Sequence, residues 1–113
     1  MAELTVQNIT EAGLEASYEV ADAAGDTFQN DSSGRVFLHI KNGSASAMTV
    51  SVALDQTTKT VPGFGQMTKS AASVEVDANS DEFVGPFPIS AYGAEPEISY
   101  TDETDVTIAA LKV

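Results

Sequence analysis

The chain has no cysteine and no tryptophan, and only five of its 113 residues are basic. The missing thiols exclude disulfides, thiolate metal sites and thiol nucleophiles together, and they fit a cytosolic origin. Without tryptophan, a carbohydrate site would depend on Tyr18, Tyr92 and Tyr100 for stacking. The five cations, Arg35, Lys41, Lys59, Lys69 and Lys112, are scattered along the chain and face seventeen carboxylates, for a net charge of −12. Nucleic-acid binding needs a basic stripe that displaces counterions from phosphate. This chain repels nucleic acid and anionic lipid alike. No apolar run approaches the roughly 18 residues of a membrane helix. Met1-Ala2-Glu3-Leu4-Thr5 lacks the basic and apolar regions of a secretory leader. The expected place is therefore the cytoplasm, unless something assembled from the protein leaves the cell. No Gly-rich phosphate loop is present.

Helical periodicity is also nearly absent, and strand alternation takes its place. Leu4, Val6 and Ile9 begin a first strand. Leu14, Ala16, Tyr18 and Val20 alternate with Glu15, Ser17 and Glu19, the pattern of a half-buried strand. Arg35-Val36-Phe37-Leu38-His39-Ile40-Lys41 is apolar on both faces and stops at Asn42-Gly43-Ser44. Val50, Val52 and Leu54 alternate with Thr49, Ser51 and Ala53; Val74 and Val76 flank Glu75, Ile98 and Tyr100 alternate with polar neighbours, and Val106, Ile108 and Ala110 close the chain. Phe83 and Val84 precede Gly85-Pro86. Turn chemistry separates several of these runs. The pattern predicts one all-β domain over residues 1–113. It is a sandwich or barrel of about eight short strands, jelly-roll-like in preference to immunoglobulin-like. Residues 1–9 form an N-terminal arm or an edge strand. Two long loops remain, residues 21–34 and 55–73, with a short helix expected around residues 66–72.

Little here suggests catalysis. His39 is the one histidine, placed mid-strand with no nucleophile-elbow sequence to serve, so a surface or singly hydrogen-bonded histidine is expected. Asp22, Asp26 and Asp31 share a loop with Asn30 and Gly25. Oxygen ligands on a flexible turn suit Ca²⁺, so these three are the candidate metal ligands, although their spacing departs from the alternating-ligand calcium loop. Asp102, Glu103 and Asp105 form a second acidic turn; solvated turn carboxylates explain both groups equally well. The loop apolars Val61, Phe64 and Met67, and Tyr92 in the tip Ala91-Tyr92-Gly93, either fold back to plug an open sandwich end or anchor a partner. Leu4 and Val6 are further contact candidates, because an N-terminal strand can add to another chain's sheet edge. The acidity is a solubility device, or it points to a basic partner or a salty medium.

A set of motifs in matching order over nearly the whole chain resembles small virion proteins of tailed bacteriophages. They are Ala21-Asp22-Ala23-Ala24-Gly25-Asp26-Thr27-Phe28, Phe37-Leu38-His39-Ile40-Lys41-Asn42-Gly43, Val84-Gly85-Pro86-Phe87-Pro88 and Val106-Thr107-Ile108-Ala109-Ala110-Leu111. Such proteins are encoded among the head genes, near the major capsid protein. The resemblance implies a non-enzymatic decoration, or cement, protein on the capsid exterior. Its partners would be the major capsid protein and further copies of itself, with a trimer favoured by symmetry. A head–tail connector or tail component is the alternative, and a calcium-dependent binding module a second. The resemblance brings no catalytic residue and no cofactor.

Overall fold

The alternation in residues 36–42 sets the architecture. In the computed structural model, which describes residues 2–113, this run is strand β5 (Val36–Asn42). Its Val36, Leu38 and Ile40 are fully buried, and the opposite parity (Phe37, His39, Lys41) forms an outer face. β5 pairs antiparallel along its whole length with β12 (Val106–Lys112), register Ile108↔Ile40. On its other side it pairs with β10 (Ser80–Val84), register Phe83↔His39. β2 (Val6–Asn8) adds parallel to the end of β12, and β3 (Glu19–Val20) adds antiparallel to its beginning. One sheet thus runs β10-β5-β12-β2, with β3 on the same edge of β12 as β2.

The second sheet contains β1 (Ala2–Leu4), β4 (Asp26–Phe28), β6 (Met48–Val52), β9 (Ala72–Val76) and β11 (Glu97–Tyr100), in the order β1-β4-β11-β6-β9. Met48, Val50, Val52, Val76 and Ile98 point inward and meet the inner residues of the first sheet in one core. Burying each such aliphatic side chain contributes about 1.5–3 kcal/mol. A third, two-stranded sheet, β7 (Thr58–Val61) with β8 (Gly65–Thr68), stands apart from both layers. The protein is an all-β sandwich.

One short helix, α1 (Ile89–Tyr92), follows Phe87-Pro88 and closes one end of the core. Phe87 lies between Phe28 and Tyr92, at ring-centroid distances of 5.4 and 5.1 Å. The buried Asn30 amide ties this segment down by donating to the carbonyls of Phe87 and Gly93 at 2.9 and 3.2 Å. Asn42 does the same at the opposite end, with Nδ2 donating to Ser46, Val76 and Asp77 carbonyls. Gly25 lets the loop before β4 run against β11, since a Cβ there would sit 2.6 Å from the Ile98 carbonyl oxygen.

Several sequence expectations are corrected. Among the described residues twelve strands form, not about eight, and several are only two to four residues long. The alternating run over residues 14–20 yields only the two residues of β3. The helix expected around residues 66–72 is absent; β8 occupies part of that range, and the helix lies at residues 89–92. The loop at residues 21–34 contains β4, whose Asp26 and Phe28 are buried. Residues 2–8 are edge strands of their own sandwich. β1 pairs with β4 in one sheet and β2 with β12 in the other, and Leu4 is 2% exposed.

Candidate interaction surface

Residues 57–69 carry hydroxyls, lysines, glutamine and few apolar side chains, so neither face of the β7–β8 hairpin is drawn into the core. Its residues are exposed on both faces, with only Val61 half-buried. The turn is set by Val61-Pro62-Gly63-Phe64: the Phe64 N–H donates to the Val61 carbonyl at 2.9 Å, and Gly63 takes φ 82°. Proline fixes the first central residue of such a type II turn, and glycine alone supplies the positive φ of the second without strain. The result lifts Phe64 to the tip at 83% exposure, with Met67 exposed beside it. The base is fastened by the Lys69 N–H to the Thr57 carbonyl at 2.8 Å and by the Asp55 and Gln56 N–H groups to the Ala91 carbonyl. The Lys69 ammonium lies 5.5 Å from the Tyr92 ring centroid.

This arm is also set apart by charge. Residues 57–69 contain Lys59 and Lys69 and no carboxylate, which leaves three cations against seventeen carboxylates, a net of −14, on the rest of the chain. A cationic, apolar-tipped hairpin therefore projects from a strongly anionic body.

The outer face of the β10-β5-β12-β2 sheet is the second feature. Edge strand β10 presents Asp81 and Phe83 on this face, Phe83 at 63% exposure, while the exposed Glu82 has the other parity, paired with Ile40. Phe83 packs on Phe37, with ring centroids 6.0 Å apart. Together with Val84, Pro86 and Val113 they line a shallow, mainly apolar groove of about 360 Å³, with Arg35 and Gly34 at its margin.

Beside the groove, His39 is held on every side. Its ring stacks on Phe83 at 4.1 Å with an interplanar angle of 9°. Nε2 lies 2.7 Å from Asp81 Oδ2, and Nδ1 lies 2.6 Å from the Tyr18 hydroxyl. An ionised carboxylate only accepts, so Nε2 carries a proton towards Asp81; in the neutral ring Nδ1 then accepts from the phenol. Both ring nitrogens are engaged. The Lys41 ammonium sits 4.0 Å over the Tyr18 ring, where the π-face attracts it. The constellation braces residues 17–18 across the sheet; the Gln7 side chain continues the tie, donating to the Ser17 carbonyl and accepting its N–H. Sequence reading expected at most one hydrogen bond for His39 and gave no sign of its partners, which lie 21 and 42 residues away.

The three candidate metal ligands are not gathered around one point. Asp31 accepts from the Lys112 ammonium and from the Ser33 hydroxyl, and these partners hold its pKa down at about 2. Asp22 and Asp26 lie together, with the Asp22 N–H donating to Asp26 Oδ2 at 3.2 Å. The Ala24 N–H lowers the pKa of Asp22. Asp26 is fully buried and accepts the Tyr100 hydroxyl at 2.6 Å, and its Oδ1 has no partner among the described residues. Burial, reinforced by the Asp26 carboxylate, raises the Tyr100 pKa far above the ordinary phenol value. Among the described residues no three His, Cys, Asp or Glu side chains converge as a metal site. In the acidic turn after β11, the Thr104 N–H bonds Asp102 and lowers its pKa, as a turn carboxylate does.

Of the six contact candidates, Phe64 and Met67 stand on the arm's surface and Val61 is half-buried at its turn. Leu4 and Tyr92 are core side chains, at 2% and 5% exposure, and Val6 packs against the same core. These three are committed to the fold because β1, β2 and α1 supply walls that the sandwich otherwise lacks. The groove at Phe37 and Phe83 was missed. Its sequence signal was the double-faced apolarity of β5, in which Phe37 has no inward place to go. The chain matches no family model, no curated protein and no solved structure.

Proposed function

We propose that the protein is a structural, non-enzymatic virion component that attaches to the exterior of an assembled tailed-phage capsid and stabilises it. The observation that carries this reading is the β7–β8 arm: an ordered hairpin, exposed on both faces, that lifts Phe64 and Met67 clear of a well-packed body. Large side chains on such an element contribute nothing to their own core and are suited to assembly contacts. The ordered motif resemblance supplies the partner class, the major capsid protein, and the place, the capsid surface. Binding that requires the assembled lattice stabilises the lattice by mass action. Modest contacts suffice where several copies are joined, because each attachment raises the effective concentration of the next. A trimer suits positions where three capsid subunits meet. No cofactor enters this mechanism.

The test is co-sedimentation of the purified chain with undecorated phage heads and, separately, with unassembled capsid protein. The expected result is saturable binding to heads alone, with heads surviving a higher temperature when coated. Phe64→Ala is expected to weaken head binding by about 2 kcal/mol, roughly thirtyfold. Failure to bind any assembled head removes the reading. Occupancy confined to the single portal vertex replaces it with a head–tail connector.

A further inference from the structure

We infer that the arm of one copy seats on the β10 edge of a second copy, with Phe64 entering the groove lined by Phe37, Phe83, Pro86 and Val113. The inference rests on the reading of the arm as an assembly element, and it names what that element grips.

Three observations converge on this occupant. First, charge is segregated: the arm carries two lysines and no carboxylate, whereas the rest of the chain carries a net −14. Two bodies repel each other, but an arm and a body attract. The edge beside the groove is net acidic: Glu82 is exposed on β10, Asp81 is exposed there too although bonded to His39 Nε2 and paired with Lys41, and Glu75 and Asp77 precede them in the chain. Lys41 is engaged over the Tyr18 ring, and Arg35 lies at the groove's margin. Second, β10 is the unpaired edge of its sheet. Charged side chains on an edge strand suppress pairing with a like strand. Two β10 edges brought together would set carboxylates against carboxylates, whereas Lys59 of β7 meets them favourably. Third, the apolar parts correspond. The groove is a shallow apolar depression of about 360 Å³ lined in part by the Phe83 ring, and Phe64 at the arm's tip is the most exposed large apolar side chain among the described residues. Its own body gives Phe64 no cover.

The contact is heterologous, arm to edge, so it closes into a ring when the rotation per copy allows. A ring of three agrees with the symmetry proposed above. Joined copies then meet a lattice at several points, and loss of Phe64 weakens lattice binding through lost joining.

Because the chain has no cysteine, introduced thiols report proximity without background. Thr60→Cys places a thiol on the exposed arm and Glu82→Cys places one on the exposed edge. Mixing the two variants under a mild oxidant is expected to give the mixed disulfide in at least tenfold excess over either self-pair. About 0.5 M salt, which shrinks the screening length to a few ångströms, is expected to reduce it strongly. Phe64→Ala is expected to lower free-chain association at least tenfold. Lys59→Glu with Lys69→Glu is expected to abolish association, and Glu82→Lys in the partner to restore part of it. Random pairing among the thiols, or a chain that stays monomeric in light scattering at high concentration, overturns the inference. That result leaves the capsid reading standing if heads are still bound. Arm-to-edge pairing with no binding to heads overturns the capsid reading alone.

Discussion

Asp31 and Lys112 show how a single pair links a loop to the last strand. The ammonium and the Ser33 hydroxyl hold the Asp31 pKa at about 2 against an ordinary 3.8. A carboxylate whose pKa is depressed by folding contributes stability that is present above its unfolded value and lost as pH falls through the folded one. The relevant window therefore runs from about 4 down to about 2. Lys112→Met is expected to flatten the acid-unfolding profile in that window and to leave the profile above pH 5 parallel to that of the parent. Chemical unfolding followed at stepped pH checks it. Few of these side-chain relations were legible in the sequence. Asp26 occupies a core position, and a carboxylate there breaks the apolar alternation that would have announced β4. The Tyr100 hydroxyl that bonds its Oδ2 comes from 74 residues away. The His39 brace is equally invisible, because its partners approach through the sheet and not along the chain.

At the scale of the element, legibility followed burial. β5, β6, β9, β11 and β12 each turn one parity of side chains into the core, and alternation marks them all, although β12 also buries Ala109 and Leu111 on its other face. The β7–β8 hairpin buries neither parity, so it carries no periodic signal, and its sequence reads as loop with room for a short helix around residues 66–72. Pro62-Gly63 held the true information, a type II turn between two short polar strands. The run Leu14 to Val20 erred in the opposite direction. It alternates well, yet Leu14 is 38% and Val20 75% exposed, and only Glu19–Val20 finds a strand partner. The N-terminal strands and the arm should respond oppositely to truncation of a large side chain. Leu4→Ala removes a core side chain and leaves a cavity, at an expected cost of about 2–5 kcal/mol in urea unfolding. Phe64→Ala removes a side chain that touches solvent, and its unfolding midpoint is expected within about 0.5 kcal/mol of the parent. Equal losses at the two positions would mean that the arm is part of the folding core.

The whole molecule is governed by its charge. Seventeen carboxylates on a body this small repel one another, and that repulsion opposes compaction. Screening relieves it over a Debye length of about 10 Å at 0.1 M salt. Raising monovalent salt from about 0.01 to 0.5 M is therefore expected to raise the melting temperature of the monomer while weakening arm-to-edge association. Calorimetry and light scattering on the same samples separate the two trends. A melting temperature that falls with salt would show that attractive pairs such as Asp31–Lys112 outweigh the general repulsion. The fold class was readable at this scale because strand spacing and turn residues recur along the whole chain. The apolar groove was not, because it is assembled from three separate segments that become neighbours only after β5, β10 and β12 have paired.

Thr5 is the point at which the chain changes layers: Leu4 closes against Phe28 in one sheet, and Val6 runs beside Ala110 in the other. The first of these partners lies 24 residues further along the chain; the second lies 104 residues further. During synthesis β2 must wait with its backbone groups turned to water until residue 112 emerges. The sandwich is therefore sealed on this edge by a stretch of polypeptide made 104 residues before the strand that receives it.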